Sequence, residues 1–545
     1  MLTVSKAFQN SIERVKLKEY RLQEDNADKF LRLYTGQRVG YLRHVEFHPT
    51  LPMSGPDRNP EEGCREQPND LLEKDKAFTR QIEFLFRTLE TLEDQTGSVI
   101  TGMLRLTIAP PTRQVMDDLC CHRICVCWRV HLLHPETLPQ LSSIHTLEIK
   151  DGSWFQPHGK LYSNPATPWQ HPQSKLDLRI LMDLAFKLIS VKQLECSLTT
   201  FFKEMYSADD VTRHFVQDWA GPHRDTRHDF ARSVNSATLA SLEGINLNFH
   251  RDNESIHDQQ VLLPNLILPQ QYDPFSTSLR LLSYHLKTMI LCVTADHTLF
   301  WPADGTSPCW PNLEYLSVCF FACSPSGAWY FEGPRGEGST TSAGYEITQA
   351  HYEPMGITAT DRHYDQFEMD RESREIYNQF RITPNEKMIR PLLVSFANAI
   401  NKMPSLRKAV LWTNLAFHLS AMNDCYKKIQ NEIDDTLGIS TNLAWGIVYA
   451  KPGETIGWKT HNRYCPSKKF WSHEKPCSSR QFWWMTQDWR PDAALYSLFD
   501  KIGRFEHGDQ TVHHWPSDIG HKWYHHCVLK SLIKRPRWND EWSCR

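Results

Sequence analysis

The sequence has no apolar run approaching the roughly 18 residues that a membrane-spanning helix requires. It has no excess of either charge. Its 61 Lys and Arg stand against 64 Asp and Glu, a formal net charge of −3, and that balance supplies no general field for a phosphate backbone. Neither a membrane nor a nucleic acid is therefore expected as a partner, and the basic stretch LKSLIKRPR at 529–537 reads as solvated surface. The first 25 residues carry Lys, Glu and Arg throughout and lack the apolar core of a signal peptide. The 15 cysteines are odd in number and scattered, mostly inside apolar runs such as YLSVCFFAC. That usage excludes a small disulfide scaffold and points to a reduced intracellular compartment, cytoplasmic or nuclear.

Catalytic signatures are also missing. There is no G-x-S-x-G elbow, no P-loop and no G-x-G-x-x-G after a strand, and GPRGEG (333–338) has no G-K-[ST] sequel. The tightest thiol cluster, LCCHRICVCW, holds Cys120, Cys121, His122, Cys125 and Cys127, but the next cysteine is Cys196 and no second zinc knuckle follows. Cys125 and Cys127 share one face of a strand-like run, where buried thiols act as small hydrophobes. His513, His514, His521, His525, His526 and Cys527 crowd the tail without the H-E-x-x-H or C-x-x-C spacing that fixes a metal geometry. HRDTRHD (223–229) and DRHYD (361–365) place carboxylates beside histidines, an arrangement common on charged surfaces. No enzyme, metal or cofactor is expected.

A recurring couplet is present instead. An amphipathic helix precedes a short apolar phrase spaced L-x-x-L-x-L. Ala27, Phe30, Leu31 and Tyr34 share a helical face ahead of Leu42, Val45 and Phe47. Phe78, Ile82, Leu85, Phe86, Leu89 and Leu92 precede MLRLTI (103–108). Leu178, Leu181, Leu184, Ala185 and Leu188 precede VKQLECSL (191–198), and Ile389, Leu392, Leu393, Phe396 and Ile400 precede MPSLRKAVLW (403–412). Further phrases are IHTLEI (144–149), LEGINL (242–247), LKTMIL (286–291) and LEYLSV (313–318). At 40% hydrophobic content such phrases also arise by chance, so the weight rests on the helix and polar joint that precede several of them.

The spacing is irregular, and polar or Pro/Gly-rich stretches at 54–70, 155–174 and 324–344 interrupt it as surface loops. The expected fold is α/β: an irregular leucine-rich-repeat-like solenoid of helix–strand units with long loop insertions. The expected segments are an opening helix over 1–22, an α/β body over 23–453 and a Trp- and His-rich capping region over 454–545. In the opening helix Val4, Phe8, Ile12 and Val15 fall on one stripe. Near the other end, WRPDAALYSLFDKIG (489–503) suits a helix that packs inward through Leu495, Leu498 and Phe499.

TVSKAFQNSIERVKLKEYRL resembles the second half of an F-box, where a V-S-K-x-(W/F) helix leads to a short (I/V)E…(F/L)..L segment. Val4, Ser5, Lys6, Phe8, Ile12, Glu13, Leu17 and Leu22 match it. The first half of the box, with its L-P-x-E-I stretch, has no counterpart ahead of Met1. NADKFLRLYTGQRVGYLRHVEFHPTLP, WGIVYAKPG and WWMTQDWRPDAAL are similar to segments of fungal F-box proteins with leucine-rich-repeat-like bodies. The resemblance implies a non-catalytic substrate receptor of a cullin–RING ubiquitin ligase. Its partners would be a Skp-type adaptor and a protein target, with Val4, Phe8 and Ile12 on the partner-facing side. The alternative is a repeat-based interaction scaffold that no longer docks on the ligase adaptor.

Overall fold

The computed structural model describes residues 6–52, 67–114, 129–150, 170–172, 175–198, 219–236, 239–249, 259–333, 336–338, 341–364, 378–419, 441–454, 477–486 and 489–515. The chain forms two compact units, the first from 1–253 with 347–375 and the second from 254–346 with 376–545. This division differs from the expected segments at 1–22, 23–453 and 454–545. Among the described residues no helix is long and apolar enough to cross a membrane.

In the first unit six strands run in parallel, paired in chain order: β1 (Glu19–Leu22), β2 (His44–Phe47), β3 (Leu104–Ile108), β4 (Ile144–Ile149), β5 (Gln193–Ser197) and β6 (Gly244–Asn248). Parallel neighbours require crossover connections. Helices α1 (Lys6–Lys16), α2 (Ala27–Leu33), α3 (Pro68–Thr96), α4 (Arg179–Ala185) and α5 (Ala220–Ser236) precede or separate these strands. The strands alternate as their period of two requires. Val45, Phe47, Leu106, Leu147, Leu194 and Leu247 are buried, while His44, Glu46, Arg105, Glu148 and Glu195 between them keep partial exposure.

The longest helix, α3, illustrates how local chemistry sets an element. Its N-terminus is a capping box in which the Asp70 carboxylate accepts from the Gln67 backbone N–H at 2.8 Å, with Pro68 at the first helical position. Gly97, at φ +60°, ends it. The six stripe residues Phe78, Ile82, Leu85, Phe86, Leu89 and Leu92 are all fully buried. Burial of each stabilises the unit by about 1.5–3 kcal/mol. Near the helix end the Glu93 carboxylate accepts from the backbone N–H groups of Ser142 and Ser143, at 2.7–3.0 Å, and so fastens the helix to the approach to β4.

The opening helix covers only part of the 1–22 segment. It stops at Lys16, and Glu19–Leu22 is the first strand of the sheet. Leu17, Tyr20 and Leu22 carry the three-then-two spacing of the other strand phrases, which a helix cannot bury on one face. Leu22 is fully buried, and the Tyr20 ring packs at 5.0 Å from Phe30 and 5.8 Å from Tyr34. Tyr34 Oη donates to Leu17 O at 3.0 Å and fixes the corner between helix and strand.

In the second unit β7 (Thr288–Val293), β8 (Tyr315–Phe320) and β9 (Lys408–Leu419) are parallel. The sheet then changes to antiparallel through β10 (Thr441–Ala450) and β11 (Arg480–Met485), and β12 (Thr511–His514) lies parallel to β11. Its helices include α6 (Pro274–Ser283), α7 (Glu386–Ile400) and α8 (Ala493–Asp500). All five stripe residues of α7 are buried, as are Leu495 and Phe499 of α8, while Leu498 is partly exposed. Each of the eight phrases picked out by spacing therefore contributes to a sheet strand, whereas the antiparallel pairing of β9 with β10 departs from a uniform helix–strand repeat.

Gly446 sits directly opposite Trp412 in the β9–β10 pair, and a methyl built on its Cα would come within 2.8 Å of Leu411 O and the Trp412 Cβ. Both neighbours belong to the core of the sheet, so relief requires a backbone shift. Gly446→Ala is expected to lower stability by about 1–3 kcal/mol, measured as a fall in the thermal midpoint of the full chain. An unchanged midpoint would show that the strands separate there without cost.

Candidate binding surface on the first sheet

In-register pairing assembles polar residues of the first sheet into two rows on its non-core face. One row runs His44, Arg105, Thr146, Gln193 and Gly244, and the next runs Glu46, Thr107, Glu148, Glu195 and Asn246. The match between β3 and β4 depends on a bulge. Leu104 faces Ile144, but Arg105 faces Thr146, so His145 is the extra residue. Its ring Nδ1–H donates to Leu104 O at 2.8 Å. Without that extra residue every later side chain of β4 would point to the wrong face.

Arg105 is the centre of the rows. Its guanidinium donates to Glu195 through both terminal nitrogens, at 3.2 and 3.1 Å, and to Glu148 Oε2 through Nε at 3.2 Å. Thr107 Oγ1 donates to Glu148 Oε2 at 2.8 Å and is itself 2.8 Å from His44 Nε2. Because the hydroxyl proton is committed to the carboxylate, His44 Nε2 carries hydrogen and donates. Burial is the largest influence on His44 and pushes its pKa down, which favours this neutral ring. At Glu148 burial works upward, but the Arg105 charge, the Thr107 hydroxyl and the Arg105 hydrogen bond outweigh it and hold the carboxyl below its ordinary value. At Arg105 burial works downward and the two glutamates outweigh it, so the guanidinium pKa is raised.

A second ion pair lies alongside. Lys150 Nζ is 2.8 Å from Glu46 Oε1, and His48 Nε2 is 3.3 Å from the same oxygen. Where β1 and β2 end, an open cavity of about 470 Å³ is lined by Asp25, Phe47, His48, Ala77, Arg80 and Gln81 among others. The crevice at the carboxyl ends of parallel strands is the usual ligand position in open α/β sheets. The arrangement offers fixed donors and acceptors of both signs on a rigid sheet, a chemistry suited to recognising a polar surface.

The residues singled out by sequence fall elsewhere. Val4, the Cys120–Cys127 cluster and His521, His525, His526 and Cys527 lie outside the described residues. Phe8 and Ile12 are brought together one turn apart on α1, 59% and 40% exposed, and Val15 continues their stripe at 76%. The body-facing side of α1 is polar. Glu13 accepts from Arg38 Nε and Nη2 at 3.1 and 2.8 Å, and Gln37 Nε2 donates to Asn10 Oδ1 at 3.4 Å. Phe8 and Ile12 therefore stay exposed, because the ion-paired edge of α1 is the one held against the following residues.

HRDTRHD belongs to α5, where Asp225 accepts from Tyr352 Oη at 2.7 Å and His223 Nδ1 lies 3.3 Å from Arg129 Nη2. In DRHYD, Asp361 is fully buried and accepts from the Thr358 backbone at 2.7 Å. His513 Nδ1 accepts from Trp484 Nε1 at 3.0 Å while its Nε2 faces Asp500 at 3.4 Å, so both ring nitrogens are engaged within the fold. The Arg105 network was not singled out by motif. Its signal is the slot between the last two apolar residues of successive phrases, held by Glu46, Thr107, Glu148, Glu195 and Asn246.

Arg105→Met leaves Glu148 and Glu195 side by side without their cation. Breaking a buried pair costs about 3–5 kcal/mol, and the partial exposure of these side chains reduces the expected loss to about 2 kcal/mol. In the wild type the lowered Glu148 pKa contributes stability at neutral pH that is lost as pH falls through the carboxylate range. The variant should show the opposite sign for this pair, its thermal midpoint improving relative to wild type between pH 7 and about pH 4.5 as one carboxylate takes up a proton. Parallel midpoints across that range would contradict the shared-cation account. Comparison of the chain with protein-family models, with curated proteins and with solved structures found no match.

Proposed function

We propose that the protein is a non-catalytic, F-box-type substrate receptor. In this reading α1 docks on a Skp-type adaptor of a cullin–RING ubiquitin ligase, and the leucine-rich-repeat-like polar face of the first sheet holds a protein target. The observation that carries it is the orientation of α1. The helix is held to its body by Glu13–Arg38, and Phe8, Ile12 and Val15 point outward at i, i+4 and i+7. Surface helices normally turn such a stripe inward, and an outward stripe at this spacing is the anchor pattern of a helix that enters a partner's groove. The resemblance of VSKAF and its following residues to the F-box supplies the identity of that partner.

The polar rows support the second half of the reading. They present ion-paired side chains on a sheet face whose opposite side is apolar and buried. A receptor of this kind performs no bond chemistry. It raises the local concentration of its target near the ligase, an effect set by geometry and linkage.

The test is capture of the full chain on immobilised Skp-type adaptor. Wild-type protein should be retained, and Phe8→Asp with Ile12→Asp should abolish retention. Because both positions are exposed, the double variant should keep its thermal midpoint, within about 0.5 kcal/mol of wild-type stability. Failure of the wild-type chain to bind the adaptor would overturn the receptor assignment.

A further inference from the structure

Cys292 on β7 and Cys319 on β8 are direct register partners in a parallel pair, so both side chains leave the same face of the sheet in the second unit. Adjacent strands lie about 4.8 Å apart, inside the span of Cα separations that a disulfide bridges. The Cys292 sulfur is near enough to Cys319 to act on its thiol. The two thiols differ in access, since Cys292 is partly exposed and Cys319 is buried at 9% exposure. Polar interaction with the Cys292 side chain, then burial, then the Cys292 charge all push the Cys319 thiol upward. The partly exposed Cys292 is therefore the sulfur that an oxidant in solution reaches first.

We propose that Cys292 and Cys319 form a redox-active dithiol that closes to an intramolecular disulfide, with a low-molecular-weight disulfide such as oxidised glutathione as oxidant. The Cys292 thiolate attacks one sulfur of glutathione disulfide, forming a mixed disulfide and expelling one glutathione thiolate. Cys319 then loses its proton and its thiolate attacks the Cys292 sulfur. The Cys292–Cys319 bond forms, the bond to glutathione breaks, and the second glutathione thiolate leaves. The two protons from the protein thiols pass to the two glutathione thiolates, so two protein sulfurs are oxidised and one glutathione disulfide is reduced to two thiols. Closure of the buried, high-pKa Cys319 is the slower step and accelerates as pH rises.

The proposal is independent of adaptor docking. Its test treats the folded full chain with oxidised glutathione, blocks remaining thiols with iodoacetamide and maps unreduced peptides by mass spectrometry. The exposed Cys309 serves as an internal control for simple glutathionylation. The expected product is a peptide pair joined through Cys292 and Cys319, released by dithiothreitol, with no glutathione retained at Cys292. In Cys319→Ser the reaction should halt at a stable glutathione adduct on Cys292, and in Cys292→Ser the buried Cys319 should remain a thiol. Thermal unfolding of each variant verifies that it is folded. Recovery of both cysteines as carbamidomethyl thiols while Cys309 carries glutathione would overturn the proposal. So would a wild-type Cys292 that retains its adduct, or one that bridges to a different cysteine.

Discussion

In-register parallel pairing is the constraint on which the first unit depends. When every strand runs the same way and pairs without offset, a residue in one slot of a phrase lies beside the same slot of its neighbours. Apolar slots then stack into a single core layer, which is favourable at every addition. The polar slot stacks as well, and there repetition is a difficulty. Glu148 and Glu195 are direct neighbours, and like charges directly opposite each other destabilise a pair of strands. The Arg105 guanidinium between them, backed by Thr107, converts that repulsion into two charge-assisted hydrogen-bond sets. The polar face is consequently a network whose members hold one another's rotamers, and the bulge at His145 keeps it in phase.

The same logic explains what was legible in the sequence. A phrase with apolar residues at intervals of three and two has one burial solution, a short strand with a bent approach, and eight such phrases contribute to sheet strands. The stripes of α3 and α7 were equally readable because six and five apolar side chains at helical spacing leave no alternative face. The end of α1 is not legible in the same way. Leu17, Tyr20 and Leu22 form a ninth phrase, but they follow a helical stripe without a Gly or Pro to punctuate the change of period. The antiparallel β9–β10–β11 arrangement left no mark either, since apolar spacing within a strand is the same for either direction of pairing.

The candidate surface was less legible than the fold. Searches for catalytic or metal signatures look for residues close in sequence, whereas Arg105, Glu148 and Glu195 are separated by more than 40 residues at each step. They converge only because each occupies a polar slot of its phrase. The histidine and carboxylate clusters that drew notice by proximity in sequence serve the fold where they are described. Asp361 satisfies a helix start, Asp225 holds Tyr352, and His513 bridges Trp484 and Asp500. Proximity along the chain was the misleading cue, and recurrence of slot was the informative one.

The two units apply one rule to different side chains. In the second unit, strands β7, β8 and β9 align Ile290, Ser317 and Val410, then Cys292, Cys319 and Trp412, on one face. No charge needs a partner in these rows, so close packing takes over, and Gly446 must stay small because Trp412 fills the space across the strand pair. A face built from half-buried ion pairs responds to pH and ionic strength, because protonation or screening alters its members. A face built from thiols and an indole responds instead to oxidation and to volume. The chemical difference between the units therefore follows from which residue type occupies a repeated slot, with the pairing geometry of the strands held in common.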